Sequence, residues 1–323
     1  MQPSSLTMRV RHLLKDEKIT KLEVIQSLWS GFGEVSRYYW PERSKTIVVK
    51  QFCAPTESNH PRGWNTQVSQ QRKIDSYINE QVFYKDYAVL CDDYCKVPKP
   101  LLVEVNNSDQ LIVLEDLDSI GFIGRREQAG MGISKLGIRW LAYFHGRFIN
   151  TDAQNLWPIG TYWHLGTRRD ELRAMPDGEL KEAASRIDTR LNQAKYQTLV
   201  HGDAKLANFC FMPDDNDLAA VDFQYVGRGV GVKDLAYFLG CCFSASELFE
   251  YQDDLLEYYF GILKQSLQHY CIAIDFEQLE AEWRTLYPVA NADFQRFLSG
   301  WSPQHKKLTG YMDAQTKLAL TIV

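Results

Sequence analysis

The sequence predicts an α+β chain in two parts, a small lobe built on an antiparallel sheet followed by a larger helical lobe, with the boundary near Glu115. Three observations predict this. Up to Glu115 the chain is a series of short β-branched and aromatic runs separated by turn residues. Beyond it, apolar residues recur at three- and four-residue steps. The length, 323 residues, suits two folding units.

In the first part, Val24 to Trp29, Val35 to Trp40 and Thr46 to Phe52 read as strands. The turn-like stretches Ser30-Gly31-Phe32-Gly33 and Pro41-Glu42-Arg43-Ser44 separate them. Asn59 to Asn65, with Pro61 and Gly63, reads as a loop. Gln67 to Ala88 lacks Gly and Pro and is rich in Gln, Lys, Arg and Glu, which predicts a helix. Leu101 to Val105 and Leu111 to Leu114 flank Asn106-Asn107-Ser108-Asp109, a strand–turn–strand pattern. In the second part, Ile133, Leu136, Trp140, Leu141, Phe144 and Phe148 form one apolar helical stripe. Stripes also run through Leu180 to Leu191 and through Leu248 to Leu263. Between these helices lies a compact β-like island, Thr198 to Val200, Phe209 to Met212 and Leu218 to Phe223.

Composition narrows the function classes. The chain is 45% hydrophobic and 13% aromatic, enough for a core and unlike a disordered chain. Its net charge of −5, all of it arising after Glu115, and its lack of a long basic run argue against nucleic-acid binding by bulk electrostatics. Seven scattered cysteines without a CxxC pair predict reduced thiols in the cytoplasm rather than a disulfide framework or a zinc set. The start is broken by Arg9, Arg11, His12, Lys15 and Asp16 and has no signal-peptide core. The most apolar later run, Ala236 to Phe243, falls far short of the ~20 residues of a membrane span. No membrane association is expected.

The chemistry concentrates in one stretch. Leu199 and Val200 run into His201-Gly202-Asp203, Lys205 and Asn208 follow, and Ala219 to Val221 leads to Asp222-Phe223-Gln224. Phosphoryl transfer from a nucleotide needs such a set: a carboxylate for the attacking hydroxyl, and a second carboxylate with a carboxamide oxygen to hold Mg²⁺ on the phosphates. The hairpin from Phe209 is expected to return Asp222, at the end of a strand, beside Asp203 and Asn208. His201 reads as a hydrogen-bonded structural histidine, and Pro213 to Asp217 as a solvated hairpin turn.

His-Gly-Asp-x-Lys-x-x-Asn followed by Asp-Phe-Gln resembles the catalytic and metal motifs of the aminoglycoside phosphotransferase and choline kinase superfamily, which has the protein-kinase-like fold. With the later Lys233-Asp234-Leu235-Ala236-Tyr237-Phe238, it is similar in particular to bacterial members of the ecdysteroid-kinase-like (CHK kinase-like) branch. The likeness runs over roughly residues 21–300 and is most specific at 199–240. It implies a nucleotide-binding lobe over 1–115 and a catalytic, substrate-binding lobe over 116–323. It also implies that Asp203 is the catalytic base, that Lys205 neutralises the transferred phosphate, and that Asn208 and Asp222 are metal ligands. Asp234 would brace the catalytic loop.

The same resemblance directs attention upstream. Gly31, Gly33 and Ser36 lie in a stretch that resembles a glycine-rich phosphate loop, with Ser36 in place of its last glycine; a plain β-turn is the alternative. Lys50 ends an apolar strand and matches the lysine that binds the α- and β-phosphates, with Glu80 on the helix as its partner. An edge lysine and an exposed glutamate are the alternatives. Leu111 to Leu117 resembles the hinge strand, where adenine would meet backbone groups around Glu115 and Leu117.

Together these readings predict an ATP- and Mg²⁺-dependent kinase that phosphorylates a small-molecule alcohol. Eleven residues between Asp222 and Asp234, with no Ala-Pro-Glu after them, leave no room for a peptide-docking segment. An aminoglycoside or choline-type kinase differs only in acceptor. A non-catalytic nucleotide-binding pseudokinase module is the reading from another class. Trp140, Trp157, Trp163, Trp283 and Trp301 read as core rather than as a cage for a quaternary amine.

Overall fold

The computed structural model of the chain describes residues 4–28, 33–53, 67–104 and 109–323. The chain divides into two units, 1–90 with 97–123, and 91–96 with 124–323.

The first unit is a five-stranded antiparallel sheet of β1 (Thr20–Ser27), β2 (Gly33–Trp40), β3 (Lys45–Cys53), β4 (Pro100–Glu104) and β5 (Asp109–Glu115), in the order β1-β2-β3-β5-β4. Strand alternation gives the sheet two working faces. Tyr38, Trp40, Ile47, Val49, Leu111 and Val113 form one buried face. It is covered by a helix the sequence reading did not anticipate, α1 (Ser5–Leu14), which inserts Leu6 and Val10 into that cluster. Burying each such side chain contributes about 2 kcal/mol. The Ser4 hydroxyl accepts the Thr7 amide at 3.3 Å and caps the helix start, and Lys15 ends it in a left-handed turn, φ 56°.

The other face carries Val35 and Phe52, against Ile74 and Tyr77 of α2 (Gln67–Val82). The rings of Phe52 and Tyr77 stack at 4.2 Å. The helical path expected over 67–88 continues past α2 as a π turn, Phe83–Tyr87, and a 3₁₀ turn, Ala88–Leu90. The loop expected at 59–65 lies outside the described residues.

The second unit is helical: α3 (Met131–Arg147), α4 (Arg169–Ala174), α5 (Glu179–Asn192), α6 (Val232–Cys242), α7 (Ala245–His269), α8 (Phe276–Trp301) and α9 (Gly310–Leu320). A reciprocal Ser244–Glu247 capping box starts α7. The β island consists of two short pairs. β6 (Thr198–Val200) pairs with β9 (Gly227–Gly229), and β7 (Phe209–Phe211) with β8 (Leu218–Ala220). Trp140, Trp163 and Trp283 are fully buried core, Trp157 is half-buried, and Trp301 is exposed. Among the described residues no helix is long and apolar enough to cross a membrane.

Candidate active site

The loop after β6 is held from beneath by one carboxylate. The backbone amides of His201 and Gly202 donate to Asp234 Oδ2 and Oδ1 at 2.5 and 2.9 Å. Asp234 lies in the first turn of α6, fully buried, and its Oδ2 also accepts from His145 Nε2 at 3.1 Å. His145 is fixed in turn by the Tyr259 hydroxyl on Nδ1, 2.8 Å away. Gly202 has φ +80°, and a Cβ there would come within 2.2 Å of the Tyr225 carbonyl oxygen, so only glycine fits the turn. His201 Nε2 donates to the Val221 carbonyl at 3.1 Å while Nδ1 accepts the Asp203 amide at 3.3 Å. Both ring nitrogens are thereby committed to joining the two halves of the site, a structural role.

This bracing turns Asp203 toward three side chains. Its Oδ2 accepts from the Lys205 ammonium at 2.7 Å and from Asn208 Nδ2 at 3.2 Å; its Oδ1 accepts from the Tyr237 hydroxyl at 3.0 Å. Asn208 Nδ2 also donates to the Asp203 carbonyl at 2.8 Å. Burial pushes the Asp203 carboxyl above the ordinary aspartate range; Lys205 opposes this and Asp222 adds to it. Lys205 is raised despite its own burial, because Asp203 and Asp222 favour its charged form.

Asp222 departs from expectation in one respect. β8 ends at Ala220, so Asp222 is not strand-terminal but two residues beyond, in the left-handed region at φ 70°. A non-glycine residue held there needs its surroundings to hold it. Here Gln224 Nε2 donates to Asp222 Oδ1 at 2.6 Å, and the Val221 amide donates to the Asn208 carbonyl at 2.9 Å. The backbone therefore continues the β7–β8 pairing by one step, to Asn208 and Val221, with Asp222 next along the chain.

These donors suit a magnesium ion. With the Asn208 nitrogen occupied by Asp203, its carboxamide oxygen is the atom left to face an ion. Among the described residues no three His, Cys, Asp or Glu side chains gather to hold a metal by themselves. Two protein oxygens match an ion that takes its other ligands from phosphate and water.

The first unit contains a separate charged pair. Lys50, in β3, shares the sheet face of Val35 and Phe52. There its ammonium meets Glu80 of α2 at 2.6 Å, with only 11% and 2% of the two side chains exposed, and lies 5.6 Å from the Tyr77 ring centre. Gly31 lies outside the described residues. Gly33 has φ +135°, and a Cβ there would sit 2.0 Å from the Gln51 carbonyl oxygen, so β2 can start beside β3 only with glycine. Ser36 is buried in β2, its hydroxyl donating to Glu34 at 2.7 Å. Glu115 ends β5 and its amide donates to the Lys99 carbonyl at 2.9 Å. Leu117 is buried and opens a short 3₁₀ turn capped by Asp116, whose carboxylate also holds Arg37 and Thr46.

Sequence reasoning left two features unassigned. Tyr237 stands in the run from Lys233 to Phe238, one helical turn after Asp234, but nothing in the spacing said that its hydroxyl reaches Asp203. The second is a cavity of about 530 Å³ within the second unit that Lys205 and Cys241 line together with Phe294, Lys307 and Met312.

The ecdysteroid kinase-like family pattern matches residues 164–272. No curated protein sequence matches the chain. Among solved structures, the chain is similar to a Plasmodium vivax ethanolamine kinase at 10% identity, over 98% of this chain and 88% of that one, with a TM-score of 0.50. It is also similar to an aminoglycoside-3'-phosphotransferase of type VIII, at 15% identity over 88% and 97% of the chains, TM-score 0.47. A third likeness is to a Streptomyces rimosus aminoglycoside phosphotransferase solved with ADP and streptomycin, at 16% identity over 88% and 99%, TM-score 0.43. The chain thus has a kinase-like α+β fold, and its residues 164–272, which include His201 to Asn208, Asp222 and Asp234, carry the ecdysteroid kinase-like pattern that the motifs led one to expect.

Proposed function

We propose that this small-molecule kinase relative is an ATP- and Mg²⁺-dependent O-phosphotransferase that moves the γ-phosphoryl group to an alcohol hydroxyl. In this reading residues 1–115 bind the nucleotide and residues 116–323 supply the base and the acceptor site. One observation carries it: Asp203, on a loop pinned by Asp234, is gathered with Lys205 and Asn208 within hydrogen-bond reach.

Asp203 takes the acceptor's proton. Its raised pKa brings its basicity closer to working pH, which favours proton transfer in the transition state. Lys205, already against Asp203 Oδ2, offsets charge on the phosphoryl group in flight. Lys50, held by Glu80, receives the α- and β-phosphates; Gly31 and Gly33 border them, and backbone groups around Glu115 and Leu117 meet the base, whereas Ser36, fully buried and paired with Val49 on the sheet face away from Lys50, drops out of the phosphate site. Asn208 and Asp222 hold Mg²⁺, which when bound would neutralise phosphate charge. Seven free cysteines fit a reducing compartment such as the cytoplasm.

The test is an acceptor screen with Asp203→Ala as control. The variant is expected to bind nucleotide like the wild type, measured by titration calorimetry, and to lose turnover by about a thousandfold. Asp222→Ala should abolish metal-dependent nucleotide hydrolysis. Wild-type turnover in Asp203→Ala would remove the aspartate from the mechanism.

A further inference from the structure

The cavity beside Lys205 has a local charge opposite to that of the chain. The chain carries −5, yet the cavity lining holds four basic side chains, Arg126, Lys205, Lys306 and Lys307, against one acidic one, Glu127. Two of the four are matched inside the protein, Lys205 by Asp203 at 2.7 Å and Arg126 by Asp215 at 2.6 Å. Lys306 and Lys307 make no ion pair among the described residues. The Lys307 ammonium lies instead 2.7 Å from Cys241 Sγ and 4.4 Å from the centre of the Tyr237 ring. Burial first, then the Lys307 and Lys306 ammoniums, hold the neighbouring His305 below its ordinary pKa. Phe243, Leu248, Phe294 and Met312 offer the cavity apolar surface, and Asn291, Thr309 and Tyr311 add uncharged polar groups.

The space borders the catalytic loop at Lys205, which donates to Asp203 Oδ2, and Tyr237, behind the lining, links Asp203 to the Lys307 wall. Lys307 lies over the face of the Tyr237 ring, and the hydroxyl of the same ring donates to Asp203 Oδ1. A ligand with one group at Lys307 and another at Asp203 therefore spans about the length of a tyrosine side chain. An ammonium at the Lys307 end would face like charge in a partly desolvated space, whereas an anion there would gain charge-assisted hydrogen bonds.

We infer that the phosphate acceptor is an alcohol with an apolar body and an anionic group, carboxylate, sulfate or phosphate, at the end away from the reacting hydroxyl. This rests on the reading of Asp203 as the base that faces the acceptor. It runs against the cationic acceptor that the acidic balance of the second lobe would suggest, because that balance averages over solvated helix faces remote from the cavity.

Three probes matched to that span separate the possibilities: 5-hydroxypentanoate, 1,5-pentanediol and 5-aminopentanol. Their binding to the full chain is measured directly by calorimetry or saturation-transfer NMR, and their phosphorylation is measured separately. The carboxylate is expected to bind about tenfold more tightly than the diol, the worth of a charged hydrogen bond, and the amine more weakly than either. Lys307→Met should erase most of the carboxylate's advantage while leaving the diol's affinity within about threefold, Lys307→Arg should restore it, and added salt should weaken only the carboxylate. Equal binding of the three, tighter binding of the amine, or no binding of any overturns the inference. Carboxylate-selective binding without phosphorylation of any probe would sustain the anionic ligand class of the cavity and count against the kinase reading. Equal phosphorylation of all three would do the reverse.

Discussion

A buried carboxylate makes a useful base only if something keeps it ionised when needed, and at Asp203 the balance is between burial and its hydrogen-bond donors. Burial raises its pKa; each donor that prefers the ionised form lowers it again. Tyr237 is such a donor, on Oδ1 at 3.0 Å and itself buried. The sign of its removal follows. Tyr237→Phe deprives the ionised form of a hydrogen bond and the Asp203 pKa rises further; with Asp203 as the base proposed above, a larger share of the protein is then protonated and idle at any pH on the acid side. The acid limb of the rate profile should move to higher pH, and turnover should fall about tenfold with the nucleotide KM unchanged. A pH–rate profile of both proteins decides it. An unshifted acid limb with only lower stability would reduce Tyr237 to packing. That residue was in plain view in the sequence, yet its role was not, because helical spacing fixes only its face relative to Asp234, not the loop atoms that face meets.

At the scale of elements, the Lys50–Glu80 pair shows what was legible and why. The alternation of β3 and the register Val35↔Lys50↔Ile112 place the lysine on the face covered by α2, and the helix brings Glu80 over it. Polar–apolar alternation, turn residues and a Gly-free helical run are local properties, so these elements could be read from the chain. Glu80→Gln should keep the side chain's shape and remove its charge. The expected result is a nucleotide KM raised about tenfold with the pH profile unmoved, since a partly buried charged hydrogen bond is weakened and the base is untouched. An unchanged KM would make the pair a purely structural tie. Elements that depend on distant partners were not legible. Gly227-Arg228-Gly229 has no strand-forming residue, and β9 exists because Thr198–Val200 offers it a ladder. Asp222 was expected at a strand end because left-handed backbone leaves no periodic trace. α1 is ten residues long and signals itself by only a few buried side chains. The cavity beside Lys205 draws its walls from positions 126 to 312, a juxtaposition no local pattern encodes.

Across the whole molecule, the second unit contains a buried ionic cluster that gives the protein a predictable acid weakness. Asp293, 1% exposed, is paired with Arg296 at 2.8 Å and Lys233 at 3.4 Å, and Arg168 with Glu171 at 2.9 Å. His164 is buried beside them, and neither of its ring nitrogens has a protein hydrogen-bond partner among the described residues. Burial first, then Lys233, with Arg168 and Arg296 adding and Asp293 opposing, push its pKa from 6.5 down to about 3. The folded chain thus keeps His164 neutral where the unfolded chain protonates it. Its contribution is fully present above pH 6.5 and is lost as pH falls from there through 3, by at most about 5 kcal/mol if the whole shift is realised. Asp188 and Asp203, whose carboxyls are raised by burial, act in the opposite direction over part of this range, so wild type alone cannot isolate the histidine. The comparison with His164→Leu does, since leucine fills similar space without a titrating group. Denaturant unfolding followed by circular dichroism between pH 7.5 and 4.5 should show wild type losing stability with acid more steeply than His164→Leu, the two curves diverging below the ordinary histidine pKa. Parallel curves would mean that the imidazole finds a partner for its proton inside the fold, and that the acid limit of this protein is set by its carboxylates instead.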